Sequence, residues 1–263
     1  MLLAIDVGNS ETDLGIFQGS RLAANWRMAT ARERTADELS LLFGGFLEQE
    51  SLSFSRQITG VAISSVVPDQ TQALRDMVGR YFHFAPVVVE PGTRTGIAVH
   101  TDNPKEVGSD RIVNAVAAMA KFGGPCIVVD IGTATTYDVV SENGEFLGGA
   151  IAPGMQVAAE GLFAATARFF RVEIATPRSV IGRSTAEAVQ AGLLFGTAAE
   201  VDGMVERIQK ELGGNATAIA TGGLAEVVVP HCQAIDHHEP WLTLEGLRLI
   251  YEKNAYEKNA RDE

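Results

Sequence analysis

Positive charge is scarce in this chain: 21 lysines and arginines face 33 aspartates and glutamates, for a formal net charge of −12. A general nucleic-acid binder, or a protein held on anionic lipid, needs a basic footprint that this composition does not supply. Cysteine is nearly absent. Cys126 and Cys232 have neither metal-ligand nor disulfide spacing, and two lone thiols fit a reducing, cytoplasmic setting. No apolar run approaches the roughly 20 residues that span a bilayer, so no membrane partner is expected. The N-terminus enters a strand directly, without a basic start or a cleavage site, and no signal peptide is expected. The histidines do not cluster: His83 and His100 are lone, and His231, His237 and His238 lie near the end. They read as solvated or structural. What remains is ordinary for a folded protein, 46% hydrophobic and 21% charged over 263 residues, with ample material for a core.

Against that plain background one pattern occurs twice. The stretch VVDIGTATTYDVV, residues 128–140, reads as a buried strand that breaks at Gly132 and resumes as a second strand. Asp130 sits two residues before the glycine. The stretch LLAIDVGNS, residues 2–10, has the same grammar, with Asp6, Gly8 and a small polar pair before another strand. Glycine lacks a Cβ, so backbone N–H groups of Gly8, Asn9 and Ser10, and of Gly132 and Thr133, can approach a phosphate closely. A carboxylate beside a triphosphate would be repelled, so Asp6 and Asp130 each call for a cation, held directly or through water. Neither turn contains GxxxxGK[ST] or any lysine, which excludes a P-loop. The two acids lie nearly half a chain apart. Two similar α/β halves facing a nucleotide is the plan of the actin-like, sugar-kinase-like ATPases, and that is the fold class expected.

Taken in order, residues 18–20 read as a tight turn, making the first motif part of a hairpin. Thr35 with Glu38 forms a capping box ahead of Leu39, Leu42, Phe43 and Phe46 at helical spacing. A strand over 60–67, a helix over 70–82 and a strand over 86–89 complete a βββαβαβ half with a mixed sheet. Glycines and an Asp-Asn-Pro turn in 91–104 place the division between halves near residue 100. A helix over 111–121 follows, with Ala115, Ala117, Ala118 and Ala120 small enough for close helix approach. Strands over 126–130, 135–140 and 145–151, a helix over 154–170 and a helix opened by Ser184 and Glu187 repeat the cycle. A strand over 216–220 and a helix over 244–253 end it. The organisation expected is 1–100, 101–254 and a polar, disordered tail at 255–263, where YEKNA occurs twice in tandem.

Gly108-Ser109-Asp110-Arg111 opens the 111–121 helix. Ser109 or Asp110 as a plain helix cap is one reading. The other puts Arg111 on a substrate carboxylate or polar chain, with Asp110 taking a proton from a hydroxyl. Thr221-Gly222-Gly223 follows the last core strand, where a flat base or ribose could lie on backbone. Gly148 to Gly154 leads from a hairpin into a helix.

Taken together, Asp6-Val7-Gly8-Asn9, residues 34–38, Asp102-Asn103-Pro104, Gly108-Ser109-Asp110-Arg111, residues 130–136, residues 148–154 and Thr221-Gly222-Gly223 resemble the type III pantothenate kinases. The resemblance runs in register from residue 1 to about 254. It implies phosphate-binding loops at Asp6, Val7, Gly8, Asn9, Ser10, Glu11, Thr12 and Asp13 and at Gly132 and Thr133. It further implies a pantothenate motif at Gly108, Ser109, Asp110 and Arg111, with Asp110 the catalytic base. Asp130 would be the monovalent-cation ligand and Thr185 a further substrate contact. With these come the acetate and sugar kinase fold, a homodimer, ATP with Mg²⁺ and K⁺ or NH₄⁺, and the first step of coenzyme A synthesis. The rival readings are an actin-like kinase for another small alcohol and a Bvg accessory factor-like transcriptional helper.

Overall fold

The computed structural model describes residues 1–53, 57–166, 172–214 and 216–262, with side chains described to residue 255. It divides into two units. The first comprises Met1–Ile97, Asp102–Ala117 and the stretch from Leu242 onward; the second comprises Ala98–Thr101 and Ala118–Trp241. The division thus crosses the chain several times, where a single cut near residue 100 was expected.

In the first unit β1 (Leu2–Val7), β2 (Glu11–Gln18) and β3 (Arg21–Ala29) form a meander, with the β2–β3 turn at Gly19. Helix α1 (Ala36–Gln49) leads to β4 (Gly60–Ser65), and α2 (Pro68–Tyr81) to β5 (Val87–Val88). The sheet order is β3-β2-β1-β4-β5, with β1 antiparallel to β2 and parallel to β4. Thr35 caps α1 in a closed capping box with Glu38, as its sequence predicts. Leu39, Phe43 and Leu47 of α1 and Leu74, Met77 and Val78 of α2 bury against Leu3, Ile5, Val61 and Ile63 of the sheet. The C-terminal helix, α7 (Leu242–Asp262), packs on β1, β2 and β4. Strands covered on both sides read as unbroken apolar runs, which is why LLAI and VAI lack alternation.

Strand β6 (Ala98–Val99), absent from the sequence reading, joins the second sheet beside β9 (Glu145–Pro153). Helix α3 (Ser109–Phe122) begins two residues earlier than its apolar pattern indicates, because the Ser109-Asp110 pair is its first turn. The second unit then runs β7 (Cys126–Ile131), β8 (Ala134–Val140), β9 (Glu145–Pro153), α4 (Met155–Ala165), α5 (Thr185–Glu211), β10 (Thr217–Thr221), α6 (Ala225–Val228) and β11 (His237–His238). Its sheet order is β11-β10-β7-β8-β9-β6. Ile127, Val129, Ile131 and Tyr137 pack on Met155, Leu194, Ala198, Val201 and Val205. The helix expected over 154–170 ends at Ala165, and residues 167–170 lie outside the described residues. Ser184 caps α5, but Glu187 turns to the Arg183 N–H and to Arg178, so this box stays open.

The last element, α7 (Leu242–Asp262), carries the chain back to the first unit and continues through the region expected as a disordered tail. The alanine stripe of α3 offers no contact for a second copy at three of its four positions. Ala115, Ala117 and Ala118 are buried within the chain itself.

Candidate active site

In the first unit, the turn after β1 is closed by the Gly8 N–H donating to the Glu11 carbonyl at 2.9 Å. Asn9, Ser10 and Glu11 are exposed. Thr30, just past β3, braces this turn from the side. Its N–H donates to the Ser10 carbonyl at 2.9 Å, and its hydroxyl donates to the Gly8 carbonyl at 2.9 Å. That spends the Thr30 proton, so Thr12 is the donor in the 2.8 Å contact between the two hydroxyls. Of the residues expected in the first phosphate loop, Gly8, Asn9, Ser10 and Glu11 therefore form the turn. Val7 and Thr12 are buried, and Asp13 is held in a fork by Arg27, at 2.7 Å from Nε and 3.3 Å from Nη2.

Register puts four polar residues in one row across this sheet: Arg27 opposite Asp13, Asp13 opposite Asp6, and Asp6 beside Ser64. Directly paired residues on neighbouring strands share a face. Arg27 offsets the charge of Asp13, which would otherwise stand uncompensated against Asp6. The row continues into α3, because the Ser64 and Ser109 hydroxyls lie 3.0 Å apart. Asp110 follows. Its Oδ1 accepts from the Arg111 N–H at 2.8 Å. Burial pushes the Asp110 carboxyl above the usual aspartate range, and the Arg111 N–H and charge pull against that rise. A carboxylate whose ionised form is held less favourably than in water is a better proton acceptor, which is what the base role needs.

In the second unit, the Gly132 N–H donates to the Ala134 carbonyl at 3.0 Å and closes a shorter turn, with Thr133 exposed at its tip. Gly154, just past β9, braces it: its N–H donates to the Thr133 carbonyl at 3.1 Å. A side chain at Gly154 would collide with the Gly132 and Thr133 carbonyls, so only a bare backbone fits. Asp130 is paired with Thr136 on one side and Thr221 on the other. Its Oδ1 lies in the space that a side chain at Gly222 would occupy, and Gly222 has φ +97°, so glycine is required there twice over. Leu224 donates to the Ile131 carbonyl at 3.0 Å and ties the Thr221-Gly222-Gly223 turn to the same strand end. The structure therefore brings Asp130, Gly132, Thr133, Thr221, Gly222 and Gly223 together.

Thr185 stands on a separate element. It is the first residue of α5, exposed, beside a pocket of about 340 Å³ lined by Arg178, Ser179, Ile181, Arg183 and Glu187. The sequence reading missed Thr30, Ser64 and Ser65, which carry no motif and matter only through pairing. It also missed Asp138, wholly buried and accepting from the Thr136 hydroxyl at 3.2 Å. Tyr137, whose hydroxyl donates to Glu200 Oε1 at 3.0 Å, was likewise missed. Burial pushes the thiols of Cys126 and Cys232 up to about 12 and about 11, so neither is a nucleophile near neutral pH.

Among the described residues no cluster of three or more His, Cys, Asp and Glu side chains is placed to hold a metal ion. The carboxylates of Asp6 and Asp130, each at a strand end beside an exposed turn, suit a hard cation whose remaining ligands are phosphate oxygens and water. No described helix is long and apolar enough to cross a membrane.

The chain as a whole is similar to known proteins. A family model described as type III pantothenate kinase matches residues 2–207. A type III pantothenate kinase of Frankia casuarinae is 54% identical over 97% of this chain and 100% of its own length. One from Moorella thermoacetica is 48% identical, also over 97% of this chain and 100% of its own length. Among solved structures, a dehydratase activator from Clostridium difficile with bound ADPNP superposes with a TM-score of 0.59 at 12% identity, covering 99% of this chain and 97% of its own. A ROK hexokinase from Thermus thermophilus gives 0.55 at 14%, covering 97% and 99%. A Baf-family protein from Campylobacter jejuni gives 0.59 at 18%, covering 97% and 99%. These likenesses establish the actin-like, sugar-kinase fold. With the family match over most of the sequence and relatives near 50% identity along its length, the chain belongs to the type III pantothenate kinase family.

Proposed function

We propose that this enzyme transfers the γ-phosphoryl group of ATP to the primary hydroxyl of pantothenate, the first step of coenzyme A synthesis. The observation that carries the reading is Asp110, a carboxylate at the start of α3 whose pKa burial raises, with Arg111 adjacent. Asp110 orients the hydroxyl and accepts its proton, Arg111 and Gly108 hold the pantothenate carboxylate, and Thr185 is a further substrate contact. The N–H groups of Asn9 and Ser10, and of Thr133, bind phosphate oxygens; the Gly8 and Gly132 N–H groups, expected among the donors, instead close their turns on the Glu11 and Ala134 carbonyls, and these glycines serve by leaving room for the phosphate. Gly222 and Gly223 receive the nucleoside against bare backbone. Asp6 and Asp130 hold the cations, Asp130 the monovalent one. Bound Mg²⁺ supplies charge neutralisation on the triphosphate. Such catalysis is placement and charge stabilisation far more than covalent chemistry.

The homodimer that the resemblance implies belongs to the same reading, and a sedimentation mass of two chains is its expected signature. The regulatory alternative draws only on the likeness to a Baf-family structure at 18% identity, which speaks to fold alone. A coupled ADP-release assay, with and without pantothenate and in K⁺ or Na⁺ buffer, tests the reading. Pantothenate-dependent release that is faster in K⁺ is expected. Release indifferent to pantothenate would overturn the substrate. Equal rates in the two buffers for the unaltered enzyme would overturn the monovalent-cation role.

A further inference from the structure

Ser109 lies inside the motif expected to contact substrate, yet its hydroxyl is occupied elsewhere. It accepts from the Ser65 N–H at 3.1 Å, lies 3.0 Å from Ser64 Oγ, and is 3.3 Å from the Ser65 carbonyl, to which it can donate. A serine hydroxyl has one proton and two lone pairs. With the Ser109 proton on the Ser65 carbonyl, the Ser64 hydroxyl and the Ser65 N–H fill both lone pairs, and nothing is left for a ligand. If the proton goes to Ser64 instead, it is still spent on β4. Ser64 is 0% exposed and stands beside Asp6 in the parallel β1–β4 register. The first turn of α3 is thereby fastened to the strand that flanks the phosphate-turn acid.

We infer that Ser64 and Ser109 form a latch between β4 and α3 that positions Asp110, and that the Ser109 hydroxyl takes no part in substrate binding. Ser64 and Ser109 are positioning residues, since the contacts their hydroxyls make run between β4 and α3. The inference rests on the reading of Asp110 as the base. Helix α3 begins at Ser109, so releasing this contact frees its first turn, and the carboxylate one residue on moves with it. Displacements well under an ångström at a reacting group are costly in rate while leaving uniform substrate binding intact.

The test compares Ser64→Ala, Ser109→Ala, the double variant and Asp110→Asn by steady-state kinetics and thermal melting. Either single alanine is expected to lower kcat about tenfold, with KM for pantothenate within about twofold of the unaltered enzyme. The double variant is expected to lose no more than the worse single one, because both remove the same contact. Three results would overturn the latch: an unchanged kcat with only a lower melting temperature, a raised KM at constant kcat, or losses that multiply in the double variant. Asp110→Asn separates this from the underlying reading. If it stays within threefold of the unaltered rate, the base assignment fails. If it is inactive while both alanine variants keep full kcat, the latch alone fails.

Discussion

The turns that follow β1 and β7 share their surroundings strand for strand. Each leaves a strand flanked by an antiparallel partner on one side and a parallel one on the other, in the orders β3-β2-β1-β4-β5 and β9-β8-β7-β10-β11, the second sheet adding β6 outside β9. Each is braced by the residue just past the third strand of its meander, Thr30 or Gly154. The chemistry on that common frame differs. Asp6 has Asp13 and Ser64 as its neighbours in the row, and Asp130 has two threonines. The first turn is longer and is held by a side-chain hydroxyl as well as a backbone N–H. The second is shorter, and is held by backbone packed so closely that no side chain fits. The two halves thus share the closed backbone turn and the position of its brace, while the polar side chains around each acid differ.

The largest expected effect concerns what only the first half has, the base on α3. Asp110→Asn keeps the shape and the capping ability of the residue but removes the proton acceptor, and kcat is expected to fall about 10²–10⁴-fold. Its stability has a definite sign. The folded-state pKa of Asp110 is raised, so its protonated form favours folding, and that contribution is lost as pH rises through the folded pKa. The asparagine variant carries no such ionisation penalty. It is expected to melt at or above the temperature of the unaltered enzyme at neutral pH, with the gap closing as pH falls through the Asp110 range. Calorimetry over about pH 3–8 checks the sign.

Gly154→Ala breaks the second brace. The new methyl meets two carbonyls that close the turn, so KM for ATP is expected to rise about tenfold or more, with a stability loss of about 1–3 kcal/mol. Nucleotide titration and melting would read both. Thr30→Val is the matching change in the first half, and it should be milder. It removes the hydroxyl contacts to Gly8 and Thr12, for about 1–2 kcal/mol, and raises KM for ATP only a few-fold. Equal sensitivity at the two sites would break the distinction between a rigid and an adaptable brace.

The smallest expected effect tests the helix caps of the two units. Thr35→Ala opens a closed capping box and is expected to cost about 1 kcal/mol. Ser184→Ala should cost less, because Glu187 is held by Arg178 and Arg183 rather than reciprocating the cap. Chemical denaturation of the two variants decides it.

Local signals were legible wherever one short stretch contains its own explanation. The Thr35 box, the Gly19 turn, the paired Asp-x-Gly turns and the Gly108-Ser109-Asp110-Arg111 helix start all depend on neighbours within four residues. The buried strands could be read as apolar runs because both faces are covered. Sequence by itself therefore determined the α/β class, the duplicated plan and the acids at each strand end. Tertiary structure alone decided which of the expected loop residues are spoken for, such as Thr12 with Thr30, Asp13 with Arg27 and Ser109 with Ser64. It also decided that the C-terminal helix returns to the first unit and that β6 joins the second sheet. The physical reason is reach. A cap or turn satisfies backbone groups nearby in the chain, whereas a hydroxyl or carboxylate is satisfied by whatever strand register and helix packing set beside it.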